Sequence, residues 1–207
     1  MLRRQRDIIL LARVVSAIFT PFYLPMLGMV VMFLFSYMSI FPWPYKLQVM
    51  AMTYLFTVLL PPVLIGLYRR YHGWTPIELG RRERRMVPYV LSILCYYVCV
   101  FDMQRMHMPH LMISILLAAL TIQIVCAAVN VWWKISTHTA GIGGVGGALF
   151  AFAEHLAFNP VWWLSLVFIV GGMVGSSRMI LRQHTLPQVV AGFWVGFVCA
   201  ALAVFLL

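Results

Sequence analysis

Between Lys134 and Gly147 an otherwise apolar chain gathers Lys134, Ser136, Thr137 and His138, followed by a run of glycines. A cation, hydroxyl groups, an imidazole and the backbone N–H groups of a helix starting there are the ingredients of an anion site, with Ser136 placed to cap the helix. One apolar hairpin later a second polar cluster follows: Ser176, Ser177, Arg178, His184 and Gln188. The planar fork of Arg178 suits phosphate oxygens, and His184 at the start of a helix can act as nucleophile or base. The same residues have structural readings. Gly143, Gly144 and Gly147 fit close packing between membrane helices. Lys134, beside Trp132 and Trp133, fits an interfacial anchor.

The elements that must position these clusters are membrane helices. The chain has 207 residues, 63% hydrophobic and 10% charged, with mean hydropathy +0.94, whereas a soluble domain carries about 25% charged residues. Seven apolar stretches approach the ~20 residues a crossing helix needs: roughly 14–39, 47–68, 87–102, 110–133, 138–156, 160–177 and 184–206. The expected class is all-α, a polytopic membrane helix bundle of about seven spans, or six if 87–102 does not cross. Pro21 and Pro25 are expected to kink the first span, and Pro61-Pro62 the second. The basic start before the first apolar run resembles a signal peptide but lacks a small-residue cleavage site, so that run is read as a retained span. No linker or fixed-period repeat divides residues 1–207, which are read as one domain. Cys95, Cys99, Cys126 and Cys199 show no metal-ligand spacing and read as small buried hydrophobes.

The net charge of +10, from 15 Lys and Arg against 5 Asp and Glu, is explained by topology rather than by nucleic acid. With seven spans and the N-terminus inside, only Lys46 and Arg105 fall outside. The cluster Arg81, Arg82, Arg84 and Arg85 and both polar clusters then share the cytoplasmic face, with the C-terminus outside. An integral protein of a bacterial inner membrane is the expected location.

Two of these segments, taken together, resemble the phosphatidic acid phosphatase type 2 superfamily, whose motifs are K-x6-R-P, P-S-G-H and S-R-x5-H-x3-D. Ser177-Arg178, His184 and position 188 match the third in spacing, with Gln188 where the family has Asp. Ile135-Ser136-Thr137-His138 keeps the Ser and His of the second. The first is degenerate: Arg81 to Pro88 supplies cations and a proline without the spacing. The resemblance covers mainly residues 130–207. It implies that His184 attacks phosphorus, forming a phosphohistidine, while His138 protonates the leaving oxygen. Arg178, Ser136, Lys134 and one or more of Arg81, Arg82, Arg84 and Arg85 would hold the phosphate oxygens, whose growing charge several fixed donors stabilise. Gln188 can accept the hydrogen bond of the family Asp but carries no charge. Either His184 is oriented another way, or the enzyme is slow, or catalysis is lost.

The expected function is therefore a metal-independent lipid phosphatase acting on phosphatidylglycerol phosphate, phosphatidic acid or a prenyl diphosphate, with the bilayer as its partner and no cofactor. The alternative is a weak or inactive relative that binds anionic lipid or scaffolds a membrane complex. A transporter is disfavoured because no ionisable residue stands mid-span. Glu154 and His155 read as snorkelling or locally paired residues near the outer end of the fifth span, Asp102, His107 and His110 as a solvated outer loop, and Asn130 as a hydrogen-bonding group between helices.

Overall fold

The structure, a computed structural model, describes residues 2–73 and 86–206, and among them it is all-helical with no strand. Eight helices follow in order: α1 (Leu2–Ile18), α2 (Leu24–Phe35), α3 (Trp43–Tyr71), α4 (Met86–Arg105), α5 (His110–Trp132), α6 (Thr137–Leu156), α7 (Val161–Ile180) and α8 (Leu186–Phe205). Five of them, α3, α4, α5, α7 and α8, are long and apolar enough to cross a membrane, as an integral membrane protein requires. α4 is one of these five at 20 residues, the stretch that looked short in the sequence being extended mainly at its C-terminal end by Met103, Gln104 and Arg105. α6 also has 20 residues. Its polar first turn and five glycines keep it below the hydropathy of the others.

The expected first span is not one helix. α1 stops at Ile18, Pro21 lies in the break, and Pro25 sits at the start of α2. At 1.5 Å per residue the 12 residues of α2 reach only ~18 Å, short of the ~30 Å hydrocarbon. Two prolines four residues apart thus produce a break rather than a kink, since each removes an N–H and crowds the preceding turn. α2 nevertheless extends along the bundle. Leu24 packs where Gly141 of α6 lacks a side chain, and Phe35 at its other end approaches Trp163 at the start of α7.

The second proline pair is absorbed differently. The turn Tyr54–Leu59 widens to π geometry, with the Leu60 N–H bonding to the Leu55 carbonyl, and α3 continues through Pro61-Pro62 to Tyr71. A π turn redistributes the hydrogen bonds that the missing proline N–H groups would break.

Two cores fill the bundle. One is rich in methionine, built on Met29, Met32, Met38, Met103 and Met112; Met fills irregular gaps between helices. The other, around Tyr89, Ile122, Cys126, Ile135, Ala140 and Ala200, lies where α4, α5, α6 and α8 meet. The four cysteines are free, three buried and Cys199 half-buried. Asn130 donates from Nδ2 to the Met86 sulfur at 3.7 Å, joining α5 to α4 as the sequence suggested.

Candidate functional site

The site is organised by glycines on two parallel helices. A Cβ added at Gly143 or Gly147 of α6 would strike the backbone of Phe193 or Phe197 of α8. One added at Gly196 of α8 would strike the backbone of Ala140, and at Gly192 it would lie 2.5 Å from the Ser136 carbonyl oxygen. Residue numbers rise together across the contact, so α6 and α8 run parallel with their N-termini at the same end of the bundle. Backbones this close exclude any side chain but hydrogen at these positions. These glycines therefore serve packing, and Gly144 faces the tip of Ile122 on α5.

α7 returns antiparallel alongside both. A Cβ at Gly175 would meet Val189 of α8 at 2.6 Å and Thr139 of α6 at 3.8 Å. The C-terminal turns of α7 and the first turns of α6 and α8 thus share one end of the bundle, bringing the two polar clusters together.

A backbone hydrogen bond joins them: the Ser136 N–H donates to the Gln188 carbonyl at 3.3 Å. Ser136 is fully buried and caps α6, its Oγ accepting from the Thr139 N–H at 3.5 Å, while the Thr139 hydroxyl donates back to the Ser136 carbonyl at 3.1 Å. Capping by Ser136, expected from the sequence, is what the structure has.

The spacing between Arg178 and His184 is set by the end of α7. The Gln183 N–H donates to the Arg178 carbonyl at 3.0 Å and the Arg182 N–H to the Met179 carbonyl at 2.9 Å. Arg182 adopts φ 53, so this is a Schellman turn with arginine where glycine is usual. His184 emerges directly after it and is buried. Its Nδ1 lies 3.3 Å from Gln188 Oε1, which also accepts the Thr185 N–H at 3.2 Å. A backbone N–H can bond only to the amide oxygen, so the imidazole must donate from Nδ1–H. Nε2 is then the ring nitrogen with the lone pair.

Gln188 therefore has two roles. It occupies the N3 position of a capping box opened by Thr185, and it fixes the tautomer of His184. The sequence signal for the first was present in Thr185-Leu186-Pro187-Gln188, a T-x-x-Q pattern that the motif comparison passed over.

Arg178 is half-buried and donates from Nη1 to Ser16 Oγ of α1 at 2.6 Å. Ser16 is buried, as is Ala12 one turn earlier, so the two small residues form the face that α1 lays on α7. Nothing in the sequence pointed to Ser16, which lies 162 positions from its partner. Ser177 is buried and its hydroxyl returns to the Met173 carbonyl at 2.8 Å, while Ser176 is exposed. Lys134 is half-buried in the connector between α5 and α6.

His138 is half-buried and has a different outlook. It lies about half a helical turn from the α8-facing positions Ser136, Ala140 and Gly147. There it lines a cavity of about 360 Å³ between α2, α4, α5 and α6. The structure thus joins Ser136 to Gln188 and His184, places Arg178 one Schellman turn away, and sets His138 in the same first turn of α6 but on the cavity side. Arg81, Arg82, Arg84 and Arg85 lie outside the described residues. Among the described residues no group of three or more His, Cys, Asp or Glu could hold a metal ion. His155 bonds to the carbonyl one turn back in its own helix.

Compared with family models, with curated proteins and with solved structures, the chain gave no match.

Proposed function

We propose that the chain is a membrane-embedded lipid phosphatase, acting on the phosphate or diphosphate head group of a lipid whose hydrocarbon stays in the bilayer. The observation that carries this reading is the joint between the clusters: Ser136 N–H bonded to the Gln188 carbonyl, with the Gln188 side chain holding His184 Nδ1–H. The arrangement gives a buried imidazole of fixed tautomer at the end of the bundle where α6 begins and α7 ends. In the reaction His184 Nε2 attacks phosphorus and the bond to the leaving oxygen breaks, that oxygen taking a proton from water, because His138 is turned to the cavity side of α6. Water then attacks the phosphohistidine, releasing inorganic phosphate and restoring the imidazole. Arg178, Ser136, Lys134 and arginines of 81–85 hold the equatorial oxygens, where charge accumulates.

The topology that fits this reading has seven crossings in a bacterial inner membrane. The bend at 19–23 and α2 together make the first, and the N-terminus and site face the cytoplasm with the C-terminus outside. Arg69 and Arg70 in the last turn of α3 support it, as does the scarcity of cations on the other side. Substrates made in the cytoplasm then fit best: phosphatidylglycerol phosphate, phosphatidic acid or a prenyl diphosphate.

One observation favours a second reading, a relative that binds anionic lipid without turnover. The partner of His184 is an uncharged amide already shared with the Thr185 N–H, so it stabilises an imidazolium less than a carboxylate does. Phosphate release by purified protein from the three lipids, compared with His184→Ala, separates the two. Turnover that requires His184 supports the enzyme, and lipid binding without release supports the binder.

A further inference from the structure

We infer that the cavity between α2, α4, α5 and α6 takes a single hydrocarbon chain, the tail of the lipid whose phosphate lies at the first turn of α6. This rests on the reading of that end as a phosphate site. The cavity begins at Thr20, Thr137 and His138 and follows one face of α6 past Gly141 and Ala148 to Phe152. From His138 to Phe152 is 14 residues of helix, ~21 Å along the axis.

Chemistry changes along this path. The Thr20 and Thr137 hydroxyls and the His138 imidazole stand at the end where α6 begins, while Ser92, Tyr96 and Gln123 are further polar residues of the wall. Beyond that end the wall is mainly apolar, with Leu24, Val31, Ile115, Ala119 and Leu149 among its residues. A polar end at the first turn of α6 and a long apolar body suit an amphiphile lying along α6. They suit neither a polar metabolite nor a second helix.

Volume limits the number of chains. At about 360 Å³ the cavity lies at the small end of the ~300–1,000 Å³ range of single-ligand pockets, room for one hydrocarbon chain. The second chain of a diacyl lipid would stay in the bilayer. Two glycines let α2 pack closely along the cavity wall: a Cβ at Gly141 would meet Leu24 at 2.7 Å, and at Gly28 it would meet Ile115 at 3.2 Å.

The test is photolabelling of the full chain in nanodiscs with dodecyl phosphate carrying a terminal diazirine, with labelled residues identified by mass spectrometry. Octyl and hexadecyl phosphate serve as competitors, and the corresponding phosphate-free dodecanol probe as control. Label on Ala148, Leu149 or Phe152 is expected. Ala148→Phe should move the label toward His138 and weaken competition by hexadecyl relative to octyl phosphate about tenfold, the effect of roughly two buried methylenes. Equal labelling of these residues by the dodecanol probe would leave the chain site standing and count against the phosphate site. Label confined to outward-facing residues such as Leu166 and Leu202 would overturn the chain site, whether or not the protein releases phosphate.

Discussion

Gly196→Ala tests whether the contact between α6 and α8 builds the site. The added Cβ would strike the Ala140 backbone, lying 2.9 Å from its Cα, and backbone cannot swing aside as a side-chain tip can. Overpacking of this kind costs ~1–3 kcal/mol. Parting the helices also weakens the Ser136 N–H bond to the Gln188 carbonyl, worth ~1 kcal/mol. Alanine returns up to ~1 kcal/mol as the better helix former, so a net loss of ~1–3 kcal/mol is expected. Gly172→Ala is the matched control, because nothing lies within 4 Å of its Cβ and only the helix term remains. The assay is reversible unfolding in mixed detergent and SDS, with lipid binding measured in parallel. Gly196→Ala should be the less stable by ~2–4 kcal/mol once the shared helix term cancels, and should bind lipid phosphate more weakly. Equal stability of the two variants would refute the close-packed geometry.

Other outcomes follow from the same contacts. Ser16→Ala removes the Arg178 partner on α1; it should raise KM for a lipid phosphate more than it lowers kcat, and expose α1 to protease. Gln188→Asp should speed phosphate release by supplying the missing charge while Gln188→Ala slows it, and steady-state rates on the three lipids check both. Arg182→Gly relieves a left-handed residue at a cost of ~1 kcal/mol, so it should preserve activity and raise the unfolding midpoint slightly. Inserting one residue after Leu181 breaks the Schellman turn and should abolish lipid-phosphate binding. A cysteine replacing Trp133, in a chain without its four native cysteines, should resist an impermeant thiol reagent in intact cells.

How much the sequence disclosed varied with the range of the interaction. The all-helical class followed from composition, and the Ser136 cap from a local pattern. The glycine reading also held, because Gly143 and Gly147 lie four apart on one helix face, although it did not extend to Gly192 and Gly196, which complete the same contact from α8. Hydropathy alone could not see that Pro21 and Pro25 would stop a helix, since averaging over a window smooths the break away. Arg178 with Ser16 is a tertiary contact between distant helices, and no local pattern encodes it. Gln188 was read only as a departure from a carboxylate, although its place in the T-x-x-Q capping pattern was legible. His138 was expected to share an anion position with His184. The helical period instead turns it toward the cavity, a consequence of lying two residues beyond Ser136 once the α8-facing positions are known.

The central claim is that His184 performs phosphoryl transfer. The direct measurement is trapping: purified protein is mixed with a lipid carrying radiolabelled phosphate, quenched in alkali, where phosphohistidine survives, and digested for peptide mapping. The account predicts label on the peptide containing His184, absent from His184→Ala. Phosphate release with no label on His184, or release that survives His184→Ala, would contradict it.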